Sequence, residues 1–194
     1  MNAQANAAVR GTSARNKRML LLLAAIALAP VVLSYVAYYF WPRDARVNYG
    51  TLIASRTLAP IAGTRLDGTP FDGAALRGRW IVLHAASGAC PEACAGALYA
   101  SRQARTIQNA ERERIVRVWL VDDRATPPET LLAQHPDLAV VRVDPRTVAQ
   151  LPLGSERIYI VDPLGNFVLA WPSRPDIKAM AKDMGRLLRA SSIG

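Results

Sequence analysis

Cysteine is scarce in this chain, with two among 194 residues, and both fall within one five-residue stretch, Cys90-Pro91-Glu92-Ala93-Cys94. Histidine is equally scarce, at His84 and His135. A structural zinc site wants four thiol or imidazole ligands, and the chain does not offer them locally. No serine–histidine–acid constellation and no glycine-rich phosphate loop occurs, which excludes the common hydrolase and nucleotide-dependent chemistries. Arg102, Arg105, Arg112 and Arg114 gather near one predicted helix, but aromatic residues do not interleave with them and no nucleic-acid motif is present. Internal repeats and low-complexity segments are absent. Acid is missing from the first 40 residues, which hold Arg10, Arg15, Lys17 and Arg18.

The basic start precedes an apolar run. Met19 to Phe40 carries no charge over 22 residues, enough to cross a bilayer as a helix. Pro30 lies in the middle and kinks such a helix without ending it. Tyr35, Tyr38, Tyr39 and Trp41 cluster at its far end, the place for aromatic side chains at a lipid–water interface. The positive-inside rule then keeps residues 1–18 in the cytoplasm and sends the rest across, to the periplasmic side of an inner membrane. Ala27-Leu28-Ala29 offers the small-residue pattern of a cleaved signal. Pro30 would follow that cut and the apolar run continues beyond it, so an uncleaved anchor is the expectation. The net charge of +9 divides into +4 before the span and +5 after it, an excess that a solvated surface facing anionic lipid accounts for.

Beyond the span, residues 41–56 read as a polar tether and 57–194 as one globular domain. Leu66-Asp67-Gly68-Thr69-Pro70 is a turn signal. Trp80 to Ala85 is a continuous apolar run suited to a strand buried on both faces, and Ile115 to Val121 is a second. Between them Ala95 to Ala110 reads as helix. Thr126 and Glu129 have capping-box spacing for a short helix. Leu138 to Val143 is a third strand, and Ile158–Val161 with Phe167–Trp171 flank a turn as a hairpin. Pro175 to Ala190 is amphipathic. Strands alternating with helices give an α/β sandwich around a central mixed sheet.

Three residues between two thiols is the decisive spacing. A helix starting at Pro91 puts the cysteines about 6 Å apart between Cα atoms, on one face. They could grip one soft metal ion such as Cu(I), or close a disulfide. A purely structural staple gains most by closing a long loop, and this pair closes almost nothing. Cys90 at a helix N-terminus would have its thiolate stabilised by the dipole, with Pro91 at the first helical position and Glu92 opposing slightly. His84, inside the apolar strand, reads as a core histidine. His135 ends the short helix, where a cation interacts well with the C-terminal dipole, and it is also a candidate distant third metal ligand. Met180 and Met184 fit the apolar face of the last helix. Asp122 and Asp123 follow a strand and suit a cap or turn.

The order of parts resembles the thioredoxin fold, and finer details resemble the SCO family of membrane-anchored cytochrome oxidase assembly proteins. Cys90-Pro91-x-x-Cys94 matches that family's copper motif. Leu120-Val121-Asp122-Asp123 with Thr126-Pro127-Pro128-Glu129-Thr130-Leu131 is similar to its stretch after the second core strand. Tyr159-Ile160-Val161-Asp162-Pro163-Leu164-Gly165-Asn166-Phe167 is similar to its closing hairpin. The likeness covers roughly residues 57–190. It departs at one place: the family supplies a third copper ligand from a histidine about five residues before the hairpin tyrosine, and here Gly154 stands near that position.

The resemblance implies a thioredoxin-like domain outside the cytoplasm that assists maturation of a respiratory copper oxidase. Cys90 and Cys94 would either carry Cu(I) to the copper-site subunit, or reduce a disulfide in it or in another assembly factor. Two alternatives stand beside this: a non-catalytic assembly scaffold, and a general extracytoplasmic thiol–disulfide oxidoreductase.

Overall fold

The structure is a computed structural model and describes residues 3–40, 48–191 and 193, with side chains from residue 16 onward except at 55. Trp41 and the tether's first residues, 41–47, lie outside the described residues. The chain divides into two compact units, Met1–Val47 and Asn48–Gly194.

The described residues of the first unit form one helix, α1 (Ala3–Phe40), with Pro30 inside it. Its stretch Asn16–Phe40, 25 residues, is long and apolar enough to cross a membrane. Its side chains from Asn16 on are exposed throughout.

The second unit is built on β1 (Thr51–Thr57), β2 (Ala62–Arg65), β3 (Pro70–Asp72), β4 (Trp80–Ala85), β5 (Ile115–Val121), β6 (Leu138–Arg142), β7 (Arg157–Val161) and β8 (Asn166–Pro172). These form one eight-stranded mixed sheet in the order β1-β8-β7-β4-β5-β6-β2-β3. β4, β5 and β6 run parallel, and the remaining neighbours are antiparallel. Five α-helices, α1, α2 (Glu92–Thr106), α3 (Glu129–Ala133), α4 (Pro145–Ala149) and α5 (Ile177–Ala190), and two 3-10 turns, Gly73–Leu76 and Asn109–Arg114, complete the described chain.

Alternation along the central strands sorts the core. Ile81, Leu83 and Ala85 join Val118, Leu120, Tyr159, Val161 and Phe167 on one face. Trp80 and Val82 meet Ile158, Ile160, Leu169 and Trp171 on the other, under Ala97 and Ala104 of α2 and Met180, Met184 and Leu188 of α5. Both methionines are fully buried, so core packing holds them. A third cluster joins Cys90, Cys94 and Leu98 to Trp119, Val121 and Val140. Large apolar side chains buried on both faces explain the unbroken apolar runs in β4 and β5.

Several local expectations need correction. Residues 51–57, within and just past the expected tether, pair as an edge strand with β8, interrupted by an irregularity between Leu52 and Arg56. Their mixed polar composition hid a strand stabilised by backbone pairing on one side only. The cysteine helix starts at Glu92, so Pro91 holds the cap position rather than the first helical one. It also ends earlier, at Thr106, and a 3-10 turn over Asn109–Arg114 follows. Pro128, not Thr126, precedes α3, and no side chain caps it, because two consecutive prolines hold the backbone extended up to the helix.

Candidate functional site: the Cys90–Cys94 pair

The site sits where β4, at the centre of the sheet, gives way to α2. In open α/β sheets this end of the parallel strands is where function concentrates. The two cysteines are joined by a disulfide with Cα atoms 5.1 Å apart. That is closer than a regular helical turn would place them, because Cys90 lies outside the helix with φ of 43°. A non-glycine residue in this left-handed region is held there by its surroundings. Cys90 is 8% exposed and Cys94 4% exposed, both against Leu98, Trp119 and Val140. Pro91 and Glu92 are exposed beside them.

The loop that presents Cys90 is clamped from the neighbouring parallel strand. Ala86 N donates to Leu120 O at 3.1 Å, and Trp119 Nε1 donates to Ala86 O at 3.2 Å. One carboxylate oxygen of Asp123, just past β5, accepts from Gly88 N at 3.0 Å and from Ala125 N at 3.1 Å. A hydrogen bond from the Ser87 side chain, then the Gly88 amide, holds the Asp123 carboxyl below its ordinary pKa. Ser87 O accepts from Cys90 N at 3.0 Å. Gly88 is required here because a Cβ would meet Ala125 O at 2.1 Å.

Asp123 therefore has the turn role read from sequence. That it positions the cysteine loop was not evident, nor were the parts of Ser87, Gly88 and Trp119. The available signal was a Ser-Gly pair after one buried strand and an Asp pair after the next, since adjacent parallel strands end side by side.

Helix α2 has no side-chain cap. Its first-turn N–H groups and the dipole they carry thus act on the cysteine end, favouring a thiolate once the disulfide is opened.

The histidines do not join this pair. Among the described residues, no group of three or more His, Cys, Asp or Glu side chains is placed to hold a metal. His135 is 3% exposed with Nδ1 unpartnered, and burial, then Arg117 and Arg102, push its pKa down to about 4. It is a buried neutral imidazole, not the cation expected at the end of α3. His84 lies in β4 at 5% exposure. Its Nδ1 lies 3.2 Å from Arg157 O, its Nε2 is unpartnered, and burial lowers its pKa. At the position where the resemblance calls for a histidine, Gly154 adopts φ of 81° and its carbonyl accepts from the Tyr159 hydroxyl at 2.6 Å. Leu153 N donates to the same hydroxyl at 3.0 Å, so the tyrosine closes this turn internally.

Residues 80–191 match the family model described as the transmembrane-like, thioredoxin-like, C-terminal domain. The chain belongs to this transmembrane-like, thioredoxin-like family. No curated protein matches it by sequence. Solved structures with this thioredoxin-like fold include yeast Sco1 with copper bound, at 17% identity over 71% of this chain and 96% of that one, TM-score 0.62. Apo Sco1 from Thermus thermophilus is similar at 20% identity over 76% and 98%, TM-score 0.57. The thioredoxin domain of a Bacteroides vulgatus thiol-disulfide oxidoreductase aligns at 12% identity over 71% and 99%, TM-score 0.52. At these identities the likeness speaks for the fold. It places this member of the transmembrane-like, thioredoxin-like family among proteins shaped like the SCO group, as its motifs suggested.

Proposed function

We propose that this protein is a membrane-anchored thiol–disulfide exchange protein, working outside the cytoplasm on a partner in respiratory copper-oxidase maturation. The observation that carries the reading is a CxxxC pair closed on itself at the start of α2, with no third metal ligand beside it among the described residues. In the reduced form, Cys90 thiolate attacks one sulfur of a partner disulfide, and the partner's other sulfur leaves as thiolate. Cys94 thiolate then attacks Cys90 Sγ, closing the intramolecular disulfide and releasing the partner as a dithiol. Two electrons pass to the partner, solvent supplies two protons, and an external dithiol resets the pair. Cys90 suits the attacking role because it precedes the helix and is the more exposed of the two.

The test is trapping. Cys94→Ser should accumulate a mixed disulfide through Cys90, whereas Cys90→Ser should not. Equal trapping by both variants, or by neither, would remove the exchange mechanism. A second reading, Cu(I) delivery, is supported by two soft sulfurs on residues whose Cα atoms lie 5.1 Å apart and by the copper-bound structures that share the fold. Anaerobic titration of the reduced protein against a competing chelator separates the two. Tight one-to-one binding lost in both serine variants favours the carrier. Oxidase assembly that survives loss of both cysteines would leave only a scaffold.

A further inference from the structure

Helix α5 carries a surface of one sign. Lys178, Lys182, Gly185 and Arg189 follow one another at helical spacing along a single stripe. With Ile107 and Gln108 they line an open groove of about 380 Å³. Lys178 and Lys182 are the only lysines after Lys17. Among the described residues, none of Lys178, Lys182 and Arg189 has an acidic partner at ion-pair distance. The single acid within α5, Asp183, is 1% exposed and turned inward.

Asp183 has a different task. Its carboxylate accepts from Tyr49 N at 3.2 Å, Gly50 N at 2.8 Å and Trp171 Nε1 at 3.1 Å. The Tyr49 hydroxyl in turn accepts from Asp176 N, at the cap of α5, at 3.1 Å. The first described residues of the domain are thus fastened to the helix that carries the basic stripe. Only residues 41–48 separate Tyr49 of this fastening from Phe40, a length of about 28 Å when fully extended.

We propose that the stripe of Lys178, Lys182 and Arg189 docks the domain on anionic lipid headgroups of the membrane that holds its anchor. The inference rests on the reading of Asn16–Phe40 as a membrane span. Each basic side chain near an anionic surface adds an attraction, the three together enough to hold the untethered domain at low salt, and a short tether raises the occupancy further. Ile107, half exposed at the rim of the groove, adds an apolar contact. Docking through α5 fixes which way the cysteine end of the sheet is presented to a membrane-embedded partner.

The test uses residues 48–194, which contain all three core clusters, sedimented with vesicles of phosphatidylglycerol mixed with phosphatidylcholine and with phosphatidylcholine alone. The expected result is at least about tenfold more binding to the anionic vesicles at low salt, lost near 1 M salt where the screening length falls to about 3 Å. A Lys178→Glu, Lys182→Glu, Arg189→Glu variant should lose that binding, and a Lys178→Gln, Lys182→Gln, Arg189→Gln variant should weaken it, both with an unchanged circular dichroism spectrum. Equal binding to neutral vesicles, no binding to either, or unaffected variants would overturn the proposal. A partner that is an acidic protein rather than lipid would give the no-binding result. Failure of the span reading is seen separately, as release of the full chain from membranes by alkaline extraction.

Discussion

Burial decides the charge of both histidines. His135 is buried near Arg117 and Arg102, so a proton there meets both desolvation and like charge. In the unfolded chain an imidazole titrates near 6.5. The unfolded state therefore takes up the proton first. Stability is full above that value and falls as the pH drops toward about 4, where the folded form also titrates. His84 acts with the same sign. Denaturant midpoints measured between about pH 6.5 and 5, above the range of most carboxylates, should decline for the natural protein. His135→Leu should make the decline shallower, and an unchanged slope would refute the assignment.

At the scale of elements, Arg117 connects α2, β5 and the turn after α3. It is 1% exposed, donating to Leu98 O at 2.6 Å, Ser101 Oγ at 3.0 Å and Asp137 Oδ1 at 3.1 Å. Arg105 reaches the other oxygen of Asp137 at 3.3 Å. Burial lowers the Arg117 pKa to about 10, against the pull of Asp137, which leaves it charged at neutral pH. Removing the counter-charge strands a buried guanidinium. Asp137→Ala should thus cost about 3 kcal/mol in chemical denaturation, and adding Arg117→Met should recover much of it. A double variant no more stable than Asp137→Ala would show that the packing of the arginine stem matters more than its charge. The network grips α2 through Leu98 and Ser101, the turns directly after Cys94. Rigidity at the site therefore draws on a pair that does not touch sulfur.

For the whole molecule, every large buried apolar side chain of the three core clusters belongs to Asn48–Gly194. Residues 48–194 made alone should unfold cooperatively, with a thermal midpoint within about 4 °C of the same transition in the detergent-solubilised full chain. A larger loss would mean that residues 1–47 contribute packing to the domain. The edges of the sheet differ from its centre. β3 has three residues, and β1 is interrupted between Leu52 and Arg56, features that discourage pairing with another chain.

The thioredoxin-like architecture was legible in the linear chain because β4 and β5 are unbroken apolar runs, α5 has a clear apolar stripe, and the Asp162–Asn166 turn has hairpin chemistry. β1 was not legible, since an edge strand with polar, exposed residues carries no periodic signal and depends on β8 for its pairing. Cap positions were also missed at Pro91 and Pro128, where proline satisfies the backbone geometry without offering a side-chain bond.

By itself the sequence determined that two thiols stand four positions apart on an otherwise cysteine-free chain with an apolar N-terminal helix, because spacing and composition are local properties. Only the tertiary structure decided that Asp123 and Gly88 hold the cysteine loop. The same is true of His135, buried and neutral rather than beside the sulfurs, and of Asp183, which fastens the start of the domain to α5. Each of these depends on residues brought together from distant parts of the chain, and burial, hydrogen bonding and charge act through space rather than along the backbone.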